Sequence, residues 1–109
     1  MKLVVAIVHD NDSARLVRSL VKGGFSSTKL ASTGGFLREG NTTLLLGVED
    51  EKVNQVVEII RLVCKPRNQI ISPVSPGSGP VDSYLPSPVE IQVGGATVFV
   101  LQVEQTIKV

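Results

Sequence analysis

The side chains best suited to hold a ligand are concentrated in residues 28–43, whose sequence is TKLASTGGFLREGNTT. Glycine amides can approach a phosphate closely because no side chain intervenes. An aromatic ring can stack on a purine, and threonine and asparagine can form hydrogen bonds with base edges or ribose. The residues with these properties are Gly34, Gly35, Phe36, Thr28 and Asn41. The segment can therefore cradle a nucleotide, although the same composition also fits a plain flexible loop.

This segment is not a phosphate-binding loop of the nucleoside-triphosphatase kind. It lacks the glycine-lysine-hydroxyl ending that places a lysine on phosphates. It also leads into a predicted strand over residues 42–48 rather than into a helix. Any nucleotide bound here must be held in another way.

Two further residues could do chemistry. His9, beside Asp10, could serve as a general base, but no candidate nucleophile adjoins it, which favours an ordinary surface position near a helix start. Cys64 precedes Lys65 and Arg67, whose charges could lower its pKa. It also adjoins an apolar helical stripe, which favours a packed thiol.

Composition restricts the class of protein. The chain has 109 residues, enough for one domain, and 42% of them are hydrophobic, which predicts a folded globular domain. A net charge of +1 argues against broad capture of nucleic-acid polymers or anionic membranes. One cysteine and no cysteine-histidine cluster predict neither an internal disulfide nor a metal site. No apolar run suggests a signal peptide or membrane insertion, so we expect a soluble, cytoplasmic protein.

Hydrophobic periodicity predicts the elements that must position residues 28–43. One helix follows the first strand, with N-caps offered by residues 10–13, and ends at Gly23. A second helix follows the third strand and is stopped by Pro66. Strands are expected over residues 3–8, about 25–32, about 42–48, 89–93 and 96–103, with a short one at 69–71.

This order is β-α-β-β-α-β, the ferredoxin-like α+β pattern with both helices on one face of the sheet. The strands at 3–8 and 44–48 are apolar in both orientations, so the other face must also be covered. We therefore expect an oligomer with its sheets facing inward. Residues 66–88, rich in proline, glycine and serine, predict a long loop that serves as a regulatory or partner-binding arm, or as an excursion without a specific role.

Four motifs in order over nearly the whole chain resemble the PII-like cyclic-di-AMP receptor family. They are TKLASTGGFL with GNTT, then GVEDE, then S-P-V-S-P with D-S-Y, and finally VEIQVGGATVFVL. The resemblance implies a single PII-like domain over residues 1–109. It further implies a homotrimer with a short loop after strand two and a long loop before the last strand. It also implies cyclic di-AMP as ligand in clefts between subunits, with no cofactor and no enzymatic activity.

The resemblance also implies which residues touch the ligand. Gly35, Phe36 and Leu37 would lie against it, Thr28 and Asn41 would form hydrogen bonds with it, and the neighbouring subunit would supply Gly47 and Phe99. Many relatives have arginine where this chain has Ser26, and a lost charge-assisted hydrogen bond there would be worth roughly 1.5–3 kcal/mol. The predicted ligand-binding residues are Ser26, Thr28, Gly34, Gly35, Phe36, Leu37, Asn41, Gly47 and Phe99.

The leading hypothesis is a receptor in which cyclic di-AMP orders residues 33–40, and with them residues 66–88, to alter a surface recognised by an unidentified downstream protein. Ser26 motivates one alternative, a PII-like sensor of another adenine nucleotide such as ATP or ADP. A second is an acylphosphatase-like enzyme, which needs a phosphate-cradling arginine after strand one, where residues 9–12 are instead acidic. A third is a structural trimer that uses its long loop for docking.

Overall fold

The computed structural model describes residues 1–30, 40–71 and 89–109. Six strands and two helices lie in these ranges. In chain order they are β1 (Lys2–His9), α1 (Asp10–Lys22), β2 (Thr28–Leu30), β3 (Asn41–Val48), α2 (Val53–Val63), β4 (Arg67–Ile71), β5 (Val89–Val93) and β6 (Ala96–Gln102). A 3-10 turn, Asp50–Lys52, precedes α2.

The main sheet has four antiparallel strands in the order β2-β3-β1-β6. Each central strand lies beside a strand distant in sequence, which is the arrangement of the split βαβ pattern. This confirms the predicted α+β class, and the order of strands and helices is consistent with a ferredoxin-like fold.

Side chains of opposite parity point to opposite faces of this sheet. In β1, β3 and β6 the even-numbered residues face the helices, and residues 4, 6, 8, 42, 44, 46 and 48 are buried there. This single core comprises Val4, Ala6, Val8, Leu44, Leu46 and Val48 from the sheet, with Leu16, Leu20, Phe25, Val56, Ile60 and Cys64. Both helices thus cover one face, as the sequence predicts.

The start of α1 differs from expectation. The helix begins at Asp10, and its N-cap is His9, whose Nδ1 accepts a hydrogen bond from the Asn11 amide at 3.2 Å. Asp10 does not cap because its carboxylate accepts a hydrogen bond from Thr42 on β3. The predicted caps at residues 10–13 are therefore wrong by one position.

The second strand is also shorter at its start than expected. Residues 25–27 are not strand, because Phe25 is buried in the core and its amide donates to the Leu20 carbonyl, closing the end of α1. β2 begins at Thr28 and is described to Leu30; the remainder of the predicted strand lies outside the described residues.

β4 and β5 pair antiparallel with each other as a separate two-stranded sheet. Part of the predicted loop 66–88 is thus β4, which starts at Arg67 rather than at the predicted residue 69. Gly94 and Gly95 turn the chain from β5 into β6, with φ of +89° and +86°, a conformation that glycine adopts at low cost.

Candidate functional site

The sheet face opposite the helices, called the open face below, consists of the odd-numbered residues of β1, β3 and β6 and the even-numbered residues of β2. In the described residues no helix packs on this face. It carries the half-buried Leu3, Val5, Ile7 and Leu45, together with Phe99 and Leu101, which are 52% and 48% exposed. Apolar side chains exposed in one continuous area mark a surface suited to a partner or ligand.

Four of the predicted ligand-binding residues lie on this face. Thr28 is opposite Leu45, and the row continues through Val5 to Phe99. Asn41 and Gly47 have the same parity on β3 as Leu45 and therefore share the face. The sequence gives no indication of this shared placement, because three separate strands contribute.

These four residues do not converge within one protomer. Asn41 and Gly47 are six residues apart on β3, which corresponds to about 20 Å. Thr28 and Phe99 are separated by three strand spacings, about 14 Å. The four side chains are therefore spread over a strip about 20 Å long and do not form one compact pocket.

Gly47 has no structural need to be glycine within the protomer. Its φ is not in the left-handed region, and an added Cβ would meet only Met1 Sδ, at an ordinary 3.9 Å. Gly40, by contrast, has φ of +92° and requires glycine for backbone reasons, since L side chains rarely adopt that conformation. The missing side chain at Gly47 leaves room on the open face.

The remaining predicted residues are less informative. Ser26 is exposed and precedes β2 by two positions. Gly34, Gly35, Phe36 and Leu37 lie outside the described residues.

Asn41 is held in place by the start of α1. It is the half-buried first residue of β3, opposite His9. On one side of it the Gly40 carbonyl accepts from the Asp10 amide at 2.8 Å, and on the other the Thr42 hydroxyl donates to the Asp10 carboxylate. Asp10 therefore fixes the backbone on both sides of a predicted ligand-binding residue.

Neither single-residue candidate for chemistry forms a catalytic arrangement in the described part of the chain. His9 serves as the helix cap. Cys64 is 2% exposed, and burial, reinforced by the nearby Asp12 carboxylate, raises the pKa of its thiol to about 11. This burial confirms the prediction of a packed thiol. A buried, protonated thiol is unreactive.

Sequence reasoning missed a charged cluster around Asp12. This carboxylate is fully buried, and its Oδ1 accepts from Arg15 Nη2 at 2.7 Å and from Arg67 Nη2 at 3.1 Å. Arg15 Nη2 also donates to the Val63 carbonyl at 3.2 Å. Both of these Arg15 contacts are with groups of the protein itself. The sequence shows only an acidic residue in the first turn of a predicted helix. Its partner Arg67 lies 55 residues away, so no local pattern predicts the cluster.

A cavity of about 500 Å³ lies beside this cluster on the helix side. It is lined by Arg15 and Ser19 of α1, Leu62 and Val63 of α2, and Lys65 and Arg67 beyond it. None of the predicted ligand-binding residues lines it.

Residues 1–30, 40–71 and 89–109 contain neither a metal-binding cluster nor a helix able to span a membrane. No group of three or more histidine, cysteine or acidic residues could hold a metal ion there. No helix in these ranges has both the length and the hydropathy needed to span a membrane.

The chain matches one protein family and is similar to a solved structure. The family described as cyclic-di-AMP receptor matches residues 1–109, the whole chain. A crystal structure of a functionally unknown protein from Pediococcus pentosaceus ATCC 25745 is similar, with a TM-score of 0.75 and 40% sequence identity. The match covers 99% of this chain and 96% of that one.

Proposed function

The chain belongs to the cyclic-di-AMP receptor family, and on that premise we propose that it binds cyclic di-AMP on the open face of its sheet, in a site completed by a neighbouring subunit. The observation that carries this proposal is the common placement of Thr28, Asn41, Gly47 and Phe99. All four lie on the open face, and they are spread over it rather than gathered in one pocket of the protomer.

A neighbouring subunit would cover the exposed apolar side chains and would supply the residues that complete each site. In the proposed homotrimer the open faces point inward, which removes the exposed Phe99 and Leu101 from water. One subunit would contribute Thr28 and Asn41 to each site, and its neighbour would contribute Gly47 and Phe99.

The chemistry of these residues suits an adenine dinucleotide. Thr28 and Asn41 supply hydrogen-bond donors and acceptors for base edges or ribose. Phe99 supplies an aromatic face for stacking, and Gly47 leaves space for close approach. Gly34, Gly35, Phe36 and Leu37 complete the proposed site with backbone amides and apolar contacts, and Ser26 lies beside it.

The binding event itself would be the signal. We propose a cytoplasmic receptor without catalytic turnover, in which bound cyclic di-AMP changes a surface recognised by a downstream protein. The proposed route of this relay is through residues 31–39, which follow β2, and residues 72–88, which connect β4 to β5.

Ser26 supports one alternative ligand class. Its hydroxyl is exposed at a position where a guanidinium would bind phosphate more strongly, so the site could accept another adenine nucleotide instead.

Titration calorimetry with cyclic di-AMP, ATP and ADP tests the proposal. We expect the cyclic dinucleotide to bind with one ligand per chain and to outcompete both linear nucleotides. Tighter binding of ATP or ADP would establish the alternative, and absence of heat with cyclic di-AMP at high micromolar concentration would refute the proposed function.

A further inference from the structure

Two acidic residues of the first turn of α1 connect this helix to different parts of the chain. Asp10 binds the start of β3 through its amide, which donates to Gly40, and its carboxylate, which accepts from Thr42. Asp12 is two residues further along the same turn and binds Arg67, the first residue of β4. The pair of strands β4 and β5, called the hairpin stem below, is thereby attached to the same helical turn as Asn41.

The second strand of the hairpin stem reaches the same place, because Val93 at its end is paired with Arg67. Gly94 follows β5, and an added Cβ there would lie 3.0 Å from the Lys65 carbonyl oxygen, 3.1 Å from Arg67 Nη1 and 3.5 Å from Asp12 Oδ2. The amide of Gly95 donates to the Cys64 carbonyl. Both strands of the stem therefore meet the Asp12 carboxylate at the base of the hairpin.

We infer that the first turn of α1 links the ligand site to the hairpin stem, with Asp10 and Asp12 as positioning residues. The inference rests on the proposed function in that Asn41, between Gly40 and Thr42, is taken as a ligand contact. A shift of Asn41 on binding is carried through Asp10 to the helical turn, and through Asp12 and Arg67 to the stem.

The contact between Arg67 and Asp12 is of a strong kind. A hydrogen bond between a guanidinium and a carboxylate is stronger than a neutral one, and the carboxylate of Asp12 is fully buried. Coupling between two sites requires an element with two arrangements whose equilibrium both sites bias. Here that element is a helical turn about 5 Å long, between two contacts on residues two positions apart.

Replacing Arg67 does not leave the buried carboxylate of Asp12 without a partner. Asp12 keeps Arg15 as a partner at 2.7 Å when Arg67 is changed to glutamine. Conversely, Arg15→Gln leaves Arg67 paired and the link intact, so it is the matched control.

The first test needs no ligand. Thr42→Val removes the hydroxyl bonded to Asp10 and keeps the shape of the side chain. We expect amide hydrogen exchange in β4 and β5 to accelerate about threefold. The free energy that corresponds to this factor is smaller than the usual net contribution of one hydrogen bond. The control is Thr43→Val, since the Thr43 hydroxyl has no hydrogen-bond partner among the described residues; it should leave exchange in the stem unchanged.

A double variant shows whether Arg67 carries the effect. In the Arg67→Gln background, Thr42→Val should cause no additional change in the stem, whereas in the Arg15→Gln background it should act as in the wild type. If stem exchange is unaffected by Thr42→Val, or is affected equally in the Arg67→Gln background, the link does not exist.

The second test adds cyclic di-AMP. Binding should alter exchange in β4 and β5 of the wild type and of Arg15→Gln. In Arg67→Gln this alteration should be lost and Kd should rise about fivefold, the lower end of typical coupling between sites. If the wild type binds no cyclic di-AMP, the proposed function fails, and the ligand-free comparison still decides the link. If the wild type binds and Arg67→Gln responds in the same way, the link alone is refuted.

Discussion

Phe99 exposes half of its surface in the middle of β6, beside other apolar residues of the open face. In the proposed site its ring stacks on an adenine base. Phe99→Ala should therefore weaken cyclic di-AMP binding by about 1–3 kcal/mol, the usual worth of one base–aromatic stack, as measured by calorimetry. Val100→Ala is the control, because Val100 is also exposed on β6 but on the face toward the helices. Equal losses in both variants would show that the ring is not a ligand contact.

Ser26 permits a gain-of-affinity experiment. Ser26→Arg places a guanidinium beside the proposed site, and a charge-assisted hydrogen bond to a ligand phosphate should tighten binding by about 1.5–3 kcal/mol. The increase should shrink as salt rises, because screening weakens the attraction of exposed charges. Ser26→Gln, which has a similar reach and no charge, should bind like the wild type. An unchanged Kd for Ser26→Arg would mean that no phosphate lies within reach of this position.

Cys64 makes stability depend on alkaline pH. Its folded pKa is raised to about 11 from an unfolded value of 9.0, so the stabilising contribution is complete below pH 9 and is lost as pH rises toward 11. The free energy of unfolding in urea should fall by about 1–3 kcal/mol more in the wild type than in Cys64→Ala over this interval. Parallel pH profiles for the two proteins would contradict the assigned cause.

The sequence could indicate residue types but not all residue contacts. The amides, hydroxyls and aromatic rings of residues 28–43 suggest nucleotide binding from composition alone. Asp12 looks like a possible helix cap in the sequence, and only the fold brings Arg67 to it. The same holds for Gly47. Only its φ and its neighbours in the structure show that the backbone does not require glycine at this position.

At the scale of elements, periodicity predicted the type and order of the helices and main strands because each has one buried face. It placed boundaries less well where tertiary contacts override local preference. Phe25 has a strand-forming side chain but is drawn into the core at the end of α1, and Asp10 is a good cap by type but is bonded to β3. β4 starts at Arg67 because pairing with β5 extends it, which no local pattern could reveal.

The turn between β5 and β6 offers a test of how the hairpin stem is packed. Gly94→Ala should destabilise the protein by about 1–3 kcal/mol, because φ is +89° and the new Cβ would press on a backbone oxygen. Gly24→Ala is the control: φ is +88° there, but nothing lies within 4 Å, so it should cost only the conformational part. Urea denaturation of the two variants measures the difference. Equal destabilisation would show that crowding of the new Cβ against Lys65 and Arg67 adds nothing to the loss of stability.

At the scale of the whole molecule, the two faces of the sheet have different requirements. The helix face is filled by the protein's own core, while in the described residues the open face exposes apolar side chains and several proposed ligand contacts. The sequence predicted that this face needs a cover, because β1 and β3 are apolar in both orientations. It could not show that the predicted ligand residues share the face, since this depends on strand register.

The measurement that tests the central claim most directly is complementation between two variants that are each deficient in binding. One carries Thr28→Ala with Asn41→Ala, and the other carries Gly47→Val with Phe99→Ala. The variants are co-expressed with different tags, mixed assemblies are purified through both tags, and cyclic di-AMP binding is measured by calorimetry. If sites form between subunits, mixed assemblies contain interfaces with two intact halves and recover wild-type affinity at a minority of sites, while each variant alone stays weak. If mixed assemblies bind no better than the separate variants, the site is not shared between subunits and the account is wrong.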